Sequence, residues 1–365
     1  MPVLPRRPTA GSLRSRTIPP PPTRRAAFPA GAASWAHSLS FLAAMDLTGL
    51  QVGRYRICAE LAHGSLLGTF VGVDTGIRAF PANQRFFAIK TLQPALAGDD
   101  MIEELLREEA RSAARLFHPA FAAFFDLVVV NRALFTIDEL VLGVSLERLA
   151  WRAHRLGARI TPSIAAYIAS RVCYAIASFH ELRKIPGTCG NRIHGDLCPR
   201  SVLIKPDGSV KLLDIGYFHT RSYVENKHGL GSLVTRRYRG PERESGADFD
   251  ILSDQFAVGA MLFELITGSS PFPGGEYPTR FDLRSARATI GAGIDVDPLL
   301  ADIVLTALDP SPDRRFLSAR KFNEALLDYL DLSGVPPPAK ELSQLYRFLF
   351  PRQASTTCRS ENTHG

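Results

Sequence analysis

The apolar residues of this chain change their period near Gly143, and that change limits the possible folds more than any other feature. Between Gly53 and Leu140 they form short β-branched or aromatic runs: Tyr55-Arg56-Ile57, Gly68 to Val73, Phe86 to Ile89, Leu127 to Val130 and Leu134 to Ile137. Such runs, bounded by turn residues, predict strands. One helix interrupts them, over about Met101 to Leu116. There Ile102, Leu105, Leu106, Ala110, Ala113, Ala114 and Leu116 recur close to every 3.6 residues, and His118-Pro119 ends the pattern. After Gly143 the helical period dominates, predicting helices at Ser145–Leu156, Pro162–Leu182, Ile251–Thr267, Pro298–Leu308 and Ser318–Leu330. Between the second and third lies a hairpin, Val202-Leu203-Ile204 and Val210 to Leu213 flanking a Pro206-Asp207-Gly208 turn. A small strand-rich lobe with one helix, followed by a larger helical lobe, predicts an α+β protein with a cleft between the lobes.

Composition narrows the function classes. With 365 residues, 45% of them hydrophobic, the chain can bury a core without a disulfide or metal. Its five cysteines are odd in number and include no CxxC pair, which predicts no disulfide framework or zinc site and fits a reducing, cytoplasmic setting. The net charge of +7 is concentrated at one end: Arg6, Arg7, Arg14, Arg16, Arg24 and Arg25 lie in residues 1–45, which hold no acid. The rest is nearly neutral, so the charge does not imply a nucleic-acid partner. No uninterrupted apolar run reaches the roughly 18–20 residues of a membrane span, and Ala120 to Val130 is broken by Asp126.

The ends differ from the body. Residues 1–45, with the run Pro19 to Pro22, predict a disordered basic tail. Two other readings stay open there: an organelle transit peptide, or a start assigned too early, since Met45 directly precedes Asp46-Leu47-Thr48-Gly49. The domain itself is expected over 52–330, divided into lobes at 52–140 and 141–330. Residues 331–365 then comprise a stiff Pro336-Pro337-Pro338 connector, an amphipathic helix over 339–350 and a disordered tail. That helix, with Leu342, Leu345, Tyr346, Leu349 and Phe350 on one face, either packs back on the helical lobe or docks a partner.

An ordered set of short motifs lies on these elements: Ala88-Ile89-Lys90, Glu109, His194-Gly195-Asp196-Leu197, Asp214-Ile215-Gly216, Gly240-Pro241-Glu242 and Ser253-Asp254. Each is weak alone; the set, in this order and at these intervals, resembles the eukaryotic-like serine/threonine protein kinase family, its bacterial members most of all. The resemblance covers about 280 residues and implies the bilobal kinase fold, ATP and Mg²⁺ as cofactors, and a protein substrate or signalling partner.

Phosphoryl transfer must hold the triphosphate, neutralise its charge and aim the acceptor hydroxyl. Matched to the family, Lys90, Asp196 and Glu109 are the catalytic candidates, Glu109 being expected to hold Lys90 by an ion pair. Gly64, Ser65, Gly68, Lys90 and Glu139 are candidates for binding the nucleotide, and Asp214 and Ser201 for binding Mg²⁺. Asp254 is expected to anchor the catalytic loop from beneath, and Glu242 to pair with Arg315, with Arg314 the next choice.

Several positions depart from the family pattern. The glycine-rich loop keeps Gly64 but has Leu67 where backbone approaches phosphate. Gly195 replaces the arginine that reads a phosphorylated activation loop, so such control is not expected. Cys198 replaces a lysine that serves the γ-phosphate, Ser201 a metal-binding asparagine, and Ile215 a phenylalanine. Asp138 falls near the back wall of the adenine pocket, where an unpaired carboxylate is costly. Two functions follow from the resemblance: a slow serine/threonine kinase not controlled by activation-loop phosphorylation, or a pseudokinase acting as a nucleotide-binding or scaffolding module. A small-molecule phosphotransferase is a third, against which the peptide-loop segment from Thr235 to Glu242 argues.

Overall fold

The computed structural model describes residues 47–76, 85–116, 118–181, 192–229, 236–243, 250–271, 296–334, 338–351 and 353. The basic segment 1–45, the activation-segment hydroxyl Ser232, Thr235, Pro336, Pro337 and the segment after residue 353 lie outside them.

The first lobe is an antiparallel sheet of β1 (Gln51–Val52), β2 (Tyr55–His63), β3 (Leu67–Asp74), β4 (Phe86–Leu92), β5 (Phe124–Val130) and β6 (Ala133–Glu139), in the order β1-β2-β3-β4-β6-β5. Alternation along each strand sends side chains to opposite faces. One face packs Val52, Tyr55, Ile57, Phe70, Phe87, Ile89, Phe135 and Ile137. The other carries Leu67, Leu92 and Leu134 against Ile102 and Leu106 of α1 (Asp100–Ala113), the predicted helix, which is capped by the Asp99 side chain.

The second lobe is helical apart from a short sheet of β7 (Val144–Ser145), β8 (Val202–Ile204) and β9 (Val210–Leu212). Its helices are α2 (Leu146–Arg155), α3 (Pro162–His180), α4 (Phe218–His228), α5 (Ile251–Thr267), α6 (Pro298–Ala307), α7 (Ala319–Leu332) and α8 (Pro338–Leu349). Apolar residues run around most of α3, as expected of a central helix, and α5, α7 and α8 pack on it. The Thr161 hydroxyl caps α3, Asp250 caps α5, and Gly268, in the left-handed conformation, ends α5. Helix α8 folds back on the lobe: Leu342, Tyr346 and Leu349 are buried, and the Ser343 hydroxyl donates to Pro206 O at 2.8 Å. Helix α4, directly after Asp214-Ile215-Gly216, has no counterpart among the predicted elements.

Candidate active site

Strand register builds the site from the sheet side. In β4, Lys90 lies between Thr69 of β3 and Thr136 of β6, while Ala88 lies opposite Asp138. Period two therefore places Lys90, Thr136 and Asp138 on one face, the face toward α1 and the second lobe. Lys90 Nζ lies 2.7 Å from Asp138 Oδ2 and 2.8 Å from Asp214 Oδ1, and all but a few per cent of the lysine side chain is buried. Burial works against the ammonium, but the two carboxylates outweigh it and hold the pKa well above the usual lysine value. Desolvation likewise works against Asp214, and is outweighed by Lys90 and Arg221, which keep the carboxyl ionised.

From the helical side, Asp254 organises the loop that carries Asp196. Its carboxylate accepts from His194 N at 2.8 Å and Gly195 N at 2.9 Å, and it lies 2.8 Å from His180 Nε2. His194 reaches Leu213 O through Nε2 at 3.0 Å, tying that loop to the strand before Asp214. Glu242 and Arg315 form a two-pronged ion pair, 2.9 and 2.7 Å, with the arginine side chain wholly buried. Both expected anchors are therefore in place. Ile215 is buried in the main core, an apolar plug where the family has phenylalanine.

The expected Lys90–Glu109 ion pair is not formed. Glu109 accepts instead from the start of α4: from His219 N at 2.6 Å, from the Thr220 hydroxyl at 2.5 Å and from Thr220 N at 3.3 Å. The physical reason is that a helix N-terminus offers amides with no partner in their own helix, and Tyr217, at the cap position of α4, supplies no side-chain acceptor. Burial nevertheless pushes the Glu109 carboxyl up to about 7, against the lowering effect of these donors.

Helix α4 also closes the cleft. Arg221 donates to Asp196 Oδ2, and its other terminal nitrogen lies 3.5 Å from Asp214 Oδ2. Arg239 lies 3.6 Å from the second oxygen of Asp196 and pairs with Glu225 of α4 at 2.9 Å. The buried Tyr217 ring packs among Leu66, Leu67, Leu92, Ile102 and Leu106, and its hydroxyl lies 3.1 Å from the Thr136 hydroxyl. Gly195 makes room for the helix: its φ is +68°, and a Cβ there would meet the Phe218 ring at 2.1 Å.

The remaining candidates are placed differently from expectation. Ser201 is turned into its own loop, accepting from Cys198 N at 3.2 Å and donating to Cys198 O at 2.9 Å, so its hydroxyl does not face the cleft as a metal ligand. The Glu139 carboxylate is held by Lys211 Nζ at 2.5 and 2.6 Å, and its main-chain N–H donates to Ala123 O at 2.7 Å. The Gly64 amide donates to Leu67 O at 2.9 Å, closing the turn rather than presenting that N–H to a phosphate. Gly64, Ser65, Gly68 and Glu139 do not line the cavity bounded by Lys90, Ala122, Phe124, Asp138, Asp214 and Tyr217. Burial pushes the Cys198 thiol up to about 11, so it supplies neither positive nor negative charge near neutral pH.

Sequence reasoning did not single out Tyr217, Thr220 and Arg221. The one legible signal for α4 was its end, Lys227-His228 followed by Gly229 in the left-handed conformation.

Comparison with known proteins gives a consistent picture. Residues 68–318 match the protein kinase domain family. The chain is 30% identical over 314 residues to the probable serine/threonine-protein kinase CE0033 of Corynebacterium efficiens, covering 80% of this chain and 44% of that one. It is 28% identical over 302 residues to the serine/threonine-protein kinase PknL of Mycobacterium tuberculosis, covering 80% of this chain and 71% of that protein. Among solved structures, the kinase domain of Mycobacterium tuberculosis PknI superposes with a TM-score of 0.58 at 23% identity, over 78% of this chain and 99% of that one.

Proposed function

The chain belongs to the protein kinase family, in its bacterial serine/threonine branch, and from that premise we propose that it transfers the γ-phosphate of ATP to a serine or threonine hydroxyl of a protein. The observation that carries this reading is the convergence of Lys90, Asp196 and Asp214 on one cleft, on the elements that present them in the family, with Asp254 and Glu242–Arg315 in their supporting places. Lys90 binds the triphosphate oxygens, and Asp196 orients the acceptor hydroxyl. Asp214 offers hard carboxylate oxygen to Mg²⁺. The Arg221 guanidinium, bridging Asp196 and Asp214, stands where a cation is electrostatically favoured, so the donor set fits that ion. When bound, Mg²⁺ supplies neutralisation of phosphate charge.

The conformation is a closed one. Arg221 covers the carboxylate that must meet the acceptor, and Tyr217 and α4 fill the space beside Lys90. Transfer requires α4 to leave. Gly195 removes the arginine that would read a phosphate, so the trigger for opening is not phosphorylation of Ser222 or Tyr223 read in the family's usual way. The reading includes a cytoplasmic setting, where ATP, Mg²⁺ and protein acceptors meet.

The test is incubation of the purified protein with Mg²⁺ and labelled ATP, beside Asp196→Asn and Lys90→Ala. Label on the wild type alone is the expected result. Absence of transfer to itself or to generic acceptors, with nucleotide still raising the melting temperature, would instead establish a nucleotide-binding pseudokinase.

A further inference from the structure

Asp138 follows the apolar or weakly polar run Leu134-Phe135-Thr136-Ile137 in β6, and its side chain is 8% exposed. A buried carboxylate is tolerated only when paired. Its ion-pair partner is Lys90, at 2.7 Å, while the neighbouring Tyr217 hydroxyl goes to Thr136. The contact at Asp138 Oδ2 is a charge contact and not a well-aligned hydrogen bond.

Two candidate partners for Lys90 therefore differ in how they are held. Glu109 rides on α1, and in this conformation α4 has captured it. Asp138 is fixed by register: β4 and β6 pair over Phe87–Thr91 and Phe135–Glu139, so Asp138 is the diagonal cross-strand neighbour of Lys90. No movement of α1 or α4 separates them without breaking the sheet. Asp214, the other carboxylate on Lys90, sits in the other lobe, after β9, and is shared with Arg221.

We propose that Asp138 is the standing positioning residue for Lys90, performing the task expected of Glu109 and leaving Glu109 free to hold the N-terminus of α4. This rests on the kinase reading above. It implies that Lys90 is pre-aimed at the triphosphate in the closed and the open state alike, and that its aim does not depend on the position of α1.

The test is a pair of double-mutant cycles read by Mg·ATP affinity and by thermal unfolding without nucleotide. One combines Lys90→Met with Asp138→Asn, the other Lys90→Met with Glu109→Gln. Asp138→Asn should raise the Kd of Mg·ATP about tenfold, and change it less than about twofold in the Lys90→Met background. In turnover, the KM for ATP rises while the KM for the protein acceptor stays. Glu109→Gln should show no coupling to Lys90 in either readout. Should Asp138→Asn fold poorly because it strands the lysine charge, Lys90→Met/Asp138→Leu, which removes both charges, serves as the folded reference, and Asp138→Glu tests rescue. Nucleotide binding by the wild type with no Lys90–Asp138 coupling overturns the proposal alone. Coupling in stability from a wild type that binds no nucleotide overturns the kinase reading, and the positioning role with it.

Discussion

Replacing Arg221 with alanine should activate the enzyme. Arg221 is the side chain of α4 that reaches both Asp196 and Asp214, and on the proposed function it covers the carboxylate that would meet the acceptor hydroxyl. A hydrogen bond between charged groups contributes about 1.5–3 kcal/mol, and the longer 3.5 Å contact to Asp214 adds at most about 1 kcal/mol. The variant should therefore weaken the closed state by about 2–3 kcal/mol, a factor of roughly 30–150 in the closed-to-open ratio. Both carboxylates are also left without that cation, which favours a Mg²⁺-loaded open state further. The assay is the initial rate of labelled phosphate transfer to a protein acceptor at saturating Mg·ATP, beside hydrogen exchange of the α4 amides. A rate gain of at least about tenfold is expected, with faster exchange over Phe218–His228. An unchanged or reduced rate, from a variant that melts as the wild type does, would refute the closed-state account, since Arg221 would then not be what withholds Asp196.

Three further outcomes follow from the same geometry. Burial raises the Glu109 carboxyl to about 7 in the closed state, so the closed state binds the proton more tightly than an open state with an ordinary carboxyl. That contribution is complete below the ordinary carboxyl pKa and is lost as pH rises through about 7, so activity should climb from about pH 5 to about pH 7 and level off above it, and Glu109→Gln should flatten that climb. At Gly195, φ is +68° and a Cβ would meet the Phe218 ring at 2.1 Å, so Gly195→Ala should lower the melting temperature and expose α4 to proteolysis. Adding Phe218→Ala relieves the clash but not the backbone cost of about 1–2 kcal/mol. Arg315→Ala removes the wholly buried guanidinium from its two-pronged pair with Glu242, and urea unfolding should register a loss of about 3–5 kcal/mol; a loss under about 1 kcal/mol would mean that the pair is not structural.

What was legible in the sequence was whatever depends on local pattern. The Ile251–Thr267 helix is bounded by Asp250 and Gly268, residues whose capping chemistry is local, and its observed ends match the predicted ones. Lys90, Asp196 and Asp214 were singled out by their motifs, and Asp254 and Arg315 take the expected partners because those contacts belong to the fold itself. Helix α4 lacked such marks. Tyr217 is no capping residue, the helix has no marked apolar face, and the groups that satisfy its first amides come from Glu109, over a hundred positions earlier. The orientation of Ser201 was not legible for a related reason: a hydroxyl three residues after Cys198 closes its own turn with the main chain.

The two surprises, Asp138 and α4, have one electrostatic cause. The cleft holds four carboxylates, from Glu109, Asp138, Asp196 and Asp214, and a buried carboxylate must find a cation, a donor or a proton. With Lys90 held by Asp138 and Asp214, Glu109 takes the amides of α4 instead, and its burial keeps its pKa raised despite those donors. Asp196 takes Arg221 from α4 beside Arg239, and Asp214 shares that same Arg221 with Lys90. Had position 138 been apolar, Lys90 would have kept Asp214 alone, and Asp214 would have had less charge to share with Arg221 of α4. The aspartate at the back of the nucleotide pocket and the helix across its mouth are thus two parts of one charge balance, and a substitution at Asp138 should be felt at α4 as well as at Lys90.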